Sequence, residues 1–185
     1  MSVAGHLAAR FFSLTHSLQR IPFKNEIIEG KMWLGNLAQA RKQSWLTEKG
    51  ITHVCCITQW GEGAKFFPSN FEYFAIDIED KPGCDLLQHL EQAVSFIEEA
   101  IEEGGKVYVH CNQGRSRSGT VVVAYFIRKY HLSVEAALKR VQEKRPVVCP
   151  NEGFLLQLRQ WQHLCEFKSL TSHVVHAMAP ELTKR

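Results

Sequence analysis

Long apolar runs are missing from this chain. No stretch approaches the roughly 20 consecutive apolar residues that a helix needs to cross a bilayer, so no transmembrane segment is expected. Position 2 is Ser rather than Gly, and the usual N-myristoylation signal is absent with it. None of the six cysteines, at positions 55, 56, 84, 111, 149 and 165, forms a CxxC pair, and no secretory signal is visible. That excludes a disulfide framework as the expectation and leaves free thiols in a reducing cytosol. The His and Cys positions offer no metal-ligand spacing, so neither metal nor cofactor is expected. Glycine and proline are few, and there are no internal repeats or low-complexity tracts. A formal net charge of +3 is too small to argue for nucleic acid, and no such partner is expected.

Acidic residues are also lacking at the start: none appears until Glu26. Val3, Leu7, Phe11, Leu14 and Leu18 meanwhile fall at helical spacing, with Arg10 and Arg20 among them. A mitochondrial presequence or a membrane-surface helix has that pattern. So does a helix that packs its apolar stripe on a domain, and two arginines make too thin a basic face to prefer the first. The 185 residues suit one domain with a real core. Residues 1–25 are expected as an N-terminal helical segment, 26–167 as the single folded domain and 168–185 as a patternless, mobile tail.

From Glu26 onward strands and helices alternate. Glu26–Ile28 and Met32–Leu34 read as a hairpin turning at Glu29-Gly30. Asn36 caps a helix expected to run to Lys49, which Gly50 ends. His53–Ile57 and Tyr73–Ile78 read as strands. Asp85 caps a long helix that Gly104-Gly105 stops, and Lys106–His110 is the next strand. Thr120–Tyr130 is apolar almost all round, so a buried central helix is expected there. Ser133 caps the following helix, and a last one runs from near Asn151 to about Phe167. Such alternation implies an α/β fold with a mostly parallel central sheet of about five strands flanked by helices.

The chemistry concentrates between Val107 and Thr120, where a strand, a tight loop and a helix follow one another. Loop N–H groups and the helix N-terminus converge on one point, and their unsatisfied donors favour an anion there. Cys111 opens that loop, and thiols seated at helix N-termini ionise more readily than free ones. One loop thus supplies both cradle and nucleophile. Arg117, six positions on, closes the loop with a planar fork that suits two phosphoryl oxygens. Asn112, Gln113, Gly114, Arg115 and Ser116 form the rest of the phosphate-binding loop, with Gly114 letting the backbone turn its amides inward. Ser118 is placed to donate to the Cys111 sulfur when it departs as thiolate. His110 is expected to brace the loop from behind through a backbone hydrogen bond. Arg115 either faces outward to meet a second acidic group or is a surface arginine, or one paired with a local carboxylate; sequence does not choose. A rival reading fails: Gly114 and Gly119 have the spacing of a nucleotide-binding loop, but Thr120 stands where that motif requires Lys.

The run His110-Cys111-Asn112-Gln113-Gly114-Arg115-Ser116-Arg117-Ser118 resembles the signature of the protein tyrosine phosphatase superfamily, and its flanks resemble the small, atypical dual-specificity branch. Trp33-Leu34-Gly35-Asn36, Gly50-Ile51-Thr52-His53-Val54, the stretch Tyr73–Asp80, Arg145-Pro146 and the stretch Pro150–Leu158 are similar to other parts of that branch, so the likeness covers about residues 28–165. The resemblance implies a general acid on a loop after the strand, and Asp80 holds that place, with Asp77 and Glu79 as neighbours. It implies that Asn151 supports the phosphate loop. It implies a phosphatase acting on phosphoprotein, with no room here for a kinase-docking domain and no extra loop to deepen the pocket. A phosphoinositide, a phosphoglucan or an RNA 5′-phosphate is the alternative substrate, and a phosphate-binding scaffold is the non-enzymatic alternative. Cys84 and Cys149 are candidate disulfide partners for an oxidised Cys111, with incidental thiols the plainer account. The expected compartment is the cytoplasm, with the nucleus also open and the mitochondrion a second reading. Nothing in the sequence fixes the oligomeric state.

Overall fold

The computed structural model describes residues 25–59 and 65–182. The apolar stripe expected over residues 3–18, and with it the targeting question, lies outside the described residues.

Five strands form one sheet: β1 (Glu26–Ile28), β2 (Met32–Asn36), β3 (His53–Thr58), β4 (Glu72–Asp77) and β5 (Val107–Cys111). Their spatial order is β1-β2-β5-β3-β4, with only β1 and β2 antiparallel. β5 is therefore flanked on both edges, and all five of its residues are buried. β3 shows why a continuous apolar run suits such a place: Val54, Cys55, Cys56 and Ile57 are all buried between two parallel neighbours. The β1–β2 turn uses Gly30 at φ +65°, and the Glu26 carboxylate accepts its N–H at 2.8 Å.

The period of two along β5 divides its side chains between two cores. Val107, Val109 and Cys111 face a large cluster built with α3 (Leu87–Glu102), α4 (Arg117–Tyr130), α5 (Val134–Lys144) and α6 (Glu152–Leu182). Tyr108 points the other way, into a smaller cluster with Trp33, Leu46, Val54 and Phe71 beneath α1 (Leu37–Ala40) and α2 (Gln43–Lys49). α4 is buried from Arg117 to Ile127 and fills the centre of the larger layer.

Two helices differ from their sequence reading. The single helix expected from Asn36 to Lys49 is broken at Arg41-Lys42 into α1 and α2. Asn36 does cap it, its Oδ1 accepting the Gln39 N–H at 2.9 Å. The Leu37 N–H, however, is donated to the Asn112 carbonyl at 3.2 Å, while Trp45 packs edge-on to Tyr108 at 5.5 Å. A straight helix would not serve both contacts. At the other end, α6 continues to Leu182 instead of stopping near Phe167. No glycine or proline stands between Gly153 and Pro180 to end it, and Lys168 is tied to Glu91 of α3 at 2.6 Å. Among the described residues no helix is long and apolar enough to cross a membrane.

Candidate active site

Cys111 ends β5, and the chain turns through residues 112–116 before α4 begins at Arg117. Gly114 makes this turn possible twice over. Its φ is +69°, a region that side chains resist, and a Cβ there would lie 2.3 Å from the Gly35 carbonyl oxygen at the end of β2. The loop is thus wedged against the neighbouring strand. Inside it, the Cys111 sulfur is 1% exposed by residue and accepts two hydrogen bonds. The Gly114 N–H donates at 3.2 Å and the Ser118 hydroxyl at 3.1 Å. Donors thus converge on the sulfur from the loop and from the first turn of α4.

Arg117 lies beside this group at the start of α4. Its Nη1 donates to the Ile78 carbonyl at 3.1 Å, and its Nε stands 3.8 Å from Asp80 Oδ2. The segment that follows β4 is therefore locked to the arginine that closes the loop. Asp80 Oδ1 accepts the Ser116 hydroxyl at 2.6 Å and the Asn151 side-chain amide at 2.9 Å. Asn151 also gives its own N–H to Ser116 Oγ at 3.1 Å and accepts the Phe154 N–H at 2.9 Å, capping α6 as it does so. Of the three acidic neighbours, only Asp80 touches the loop. Glu79 is turned to Gln59 and Lys81, and Asp77 sits exposed at the end of β4.

Asn112, Gln113 and Arg115 are exposed around the mouth. Arg115 takes the plainer of its two expected alternatives, a surface arginine: it is exposed, its Nε donates to the Val147 carbonyl at 3.4 Å on the outer flank of the loop, and it forms no ion pair among the described residues. His110 is expected to brace the loop through a backbone hydrogen bond; neither ring nitrogen meets strict hydrogen-bond geometry among the described residues, and the backbone group within reach of the ring is that of Cys111. The ring stacks on Tyr108, with centroids 5.5 Å apart and planes 19° apart. Burial lowers its pKa to about 4, with the Cys111 backbone pulling weakly the other way. A neutral, stacked imidazole is wall material.

Arg145 was missed as a site residue. It reads in sequence as the end of a helix before Pro146, yet it lies buried under the loop and donates to the Gly114 carbonyl at 2.9 Å. A side chain reaching across 31 residues leaves no periodic trace; the one signal in the sequence is that Arg145-Pro146 is among the stretches that resemble the family. All six cysteines are free. Cys149 is exposed beside the loop, with its N–H on the Arg115 carbonyl, and Cys84 is half-buried. Buried Cys56 hydrogen-bonds weakly to Thr58 at 3.5 Å, and burial pushes its pKa up to about 11.

Comparison with known proteins agrees with this geometry. A family model described as "Dual specificity phosphatase, catalytic domain" matches residues 32–164. Dual specificity protein phosphatase 1 of Arabidopsis thaliana is 38% identical over 133 residues, covering 72% of this chain and 66% of that protein. Dual specificity protein phosphatase 1B of the same plant is 36% identical over 138 residues, covering 75% and 81%. This chain spans just under two thirds of the first of these, and 23%, 29% and 16% of three longer relatives. Among solved structures, the human tyrosine phosphatase-like serine/threonine/tyrosine-interacting protein superposes with a TM-score of 0.70 at 35% identity, over 75% of this chain and 95% of that one. The chain belongs to the dual specificity phosphatases, in the small atypical branch of the protein tyrosine phosphatase superfamily.

Proposed function

We propose that this enzyme hydrolyses phosphotyrosine and phosphoserine or phosphothreonine in proteins through a cysteinyl-phosphate intermediate. One observation carries the reading: the Cys111 sulfur is held by the Gly114 N–H and the Ser118 hydroxyl at the mouth of α4, with Arg117 and Asp80 coupled beside it. The sulfur attacks phosphorus, an S–P bond forms and the P–O bond to the substrate breaks. Asp80 gives its proton to the departing oxygen. Water then attacks phosphorus, Asp80 takes its proton, and the S–P bond breaks to release inorganic phosphate. Ser118 donates to the sulfur as it leaves. Arg117 and the amides of residues 112–117 hold the charge that spreads over the equatorial oxygens. Ser116 and Asn151 hold Asp80 over the loop.

Family membership supports phosphoprotein as substrate, and the exposed Asn112, Gln113 and Arg115 supply no lysine inside the loop for an inositol phosphate. Residues 26–167 make up the catalytic domain in this reading, and the protein works in the cytoplasm or nucleus. A fluorescent fusion with and without residues 1–24 tests that placement, and a mitochondrial signal that depends on the segment would overturn it. The activity is tested with a chromogenic aryl phosphate, whose hydrolysis is expected to vanish in Cys111→Ser. A panel of phosphopeptides, inositol lipids and triphosphate-ended RNA tests the substrate class, and preference for either of the last two would reject the protein substrate.

A further inference from the structure

Arg145 takes no part in the displacement described above, yet the fold buries it to 5% exposure. It follows directly after α5, and its guanidinium lies under the phosphate loop. Nε donates to the Gly114 carbonyl at 2.9 Å and Nη2 to the Gln113 carbonyl at 3.3 Å. Nη1 donates to Asn25 Oδ1, ahead of β1. One planar fork thus holds two successive loop carbonyls, and its third arm is fixed to a different part of the chain.

The consequence follows from peptide geometry. A trans peptide is planar, and its N–H and C=O point in opposite directions. Drawing the Gln113 carbonyl down to Arg145 turns the Gly114 N–H to the other side of the loop, and there that N–H meets the Cys111 sulfur at 3.2 Å. Drawing the Gly114 carbonyl down turns the Arg115 N–H away from the guanidinium in the same way. The absence of a Cβ at Gly114 permits the approach, because one would lie 2.8 Å from Nη2. Burial lowers the Arg145 pKa, while Tyr108 and Cys111 act to raise it, so the cation and a negative sulfur favour one another.

We propose that Arg145 is a positioning residue of the phosphate site. It keeps the Gln113–Gly114 and Gly114–Arg115 peptide planes turned with their carbonyls back, so that their N–H groups serve a tetrahedral oxyanion and the nucleophilic sulfur. Its effect on turnover rests on the phosphatase reading; its effect on oxyanion binding does not. Lys would keep the charge but not the fork, and would hold one carbonyl where Arg holds two.

The test uses the full-length chain with tungstate as the probe, measured by calorimetric titration beside aryl phosphate kinetics. R145M is expected to weaken tungstate binding by about tenfold or more, since charge-assisted hydrogen bonds are at stake. R145K is expected to lie between R145M and wild type, with kcat falling more than KM changes in both. A merely structural arginine would lower the melting temperature without that split. If R145M does not fold, R145K and N25A decide: N25A leaves both loop contacts in place and is expected to bind tungstate within about twofold of wild type. Binding and turnover in R145K and R145M within about twofold of wild type would overturn the positioning role. Arg145-dependent tungstate binding by a chain with no turnover would keep that role and reject the phosphatase reading. Absence of tungstate binding in wild type would overturn both.

Discussion

At the scale of single residues, Asp80 is tied to the loop by Ser116 and Asn151, as its proposed role in protonating a departing oxygen requires. Two donors, the Ser116 hydroxyl and the Asn151 amide, both reach its Oδ1, leaving Oδ2 toward Arg117. Asp80→Asn keeps the shape and removes the transferable proton. Its kcat is expected to fall about 100-fold or more on an alkyl phosphate such as phosphoserine, in line with ordinary general-acid contributions. The loss should be smaller on nitrophenyl phosphate, whose oxygen leaves without a proton. Equal losses on both substrates would assign the acid elsewhere. His110 makes a second residue-level expectation, about stability. Its folded pKa, about 4, lies below the ordinary value near 6.5, so between those pH values the unfolded chain binds a proton that the folded chain does not. Stability should therefore be complete above about pH 6.5 and decline toward pH 4, by roughly 3 kcal/mol at most. Urea unfolding from pH 7 to pH 4.5 is expected to show a shallower pH slope in His110→Gln than in wild type. These details were only partly legible in the sequence. The spacing from Cys111 to Arg117 marks a phosphate loop because all its parts are contiguous. The His110 stacking was hidden because it depends on which face of β5 each residue takes.

Elements were read well where the signal is local and poorly where a distant partner decides. Gly50 at φ +70° and Ser133 at the start of α5 end and begin helices as their residue types suggest. The break between α1 and α2 was not visible, because the Asn112 carbonyl that claims the Leu37 N–H lies far along the chain. The start of α3 combines both cases. Asp85 accepts the Gln88 N–H at 3.2 Å, as a local cap should. The Leu86 and Leu87 N–H groups are both taken at 2.8 Å by the Gln157 side chain of α6, which also donates to the Cys84 carbonyl at 2.7 Å. One glutamine thus staples two helices and the segment after Asp80. Gln157→Ala should leave these partly buried groups unsatisfied and cost about 2 kcal/mol, read as a drop in the urea midpoint. A change within about 0.5 kcal/mol would mean that water replaces the glutamine without loss.

At the scale of the whole molecule, one sheet separates two apolar layers that share every central strand. β5 contributes Tyr108 to one layer and Val109 to the other, so neither layer can be lost without exposing the opposite one. Cooperative unfolding follows. Trp33 and Trp45 report on the α1–α2 layer and Trp161 on the other, so tryptophan fluorescence and far-UV circular dichroism are expected to give coincident urea transitions. Separate midpoints would show that the layers melt independently. The same architecture places the candidate active site: a buried parallel strand ends at Cys111, and a buried helix begins at Arg117 after a turn of five residues. The most direct check on the chemistry is to quench the enzyme with acid during turnover of nitrophenyl phosphate and map the phosphoryl group by mass spectrometry. In Asp80→Asn, where the second step lacks its base, one phosphoryl group is expected to accumulate on Cys111. Sustained turnover with no phosphate on Cys111, or a phosphoryl group on any other residue, would contradict nucleophilic catalysis by this sulfur.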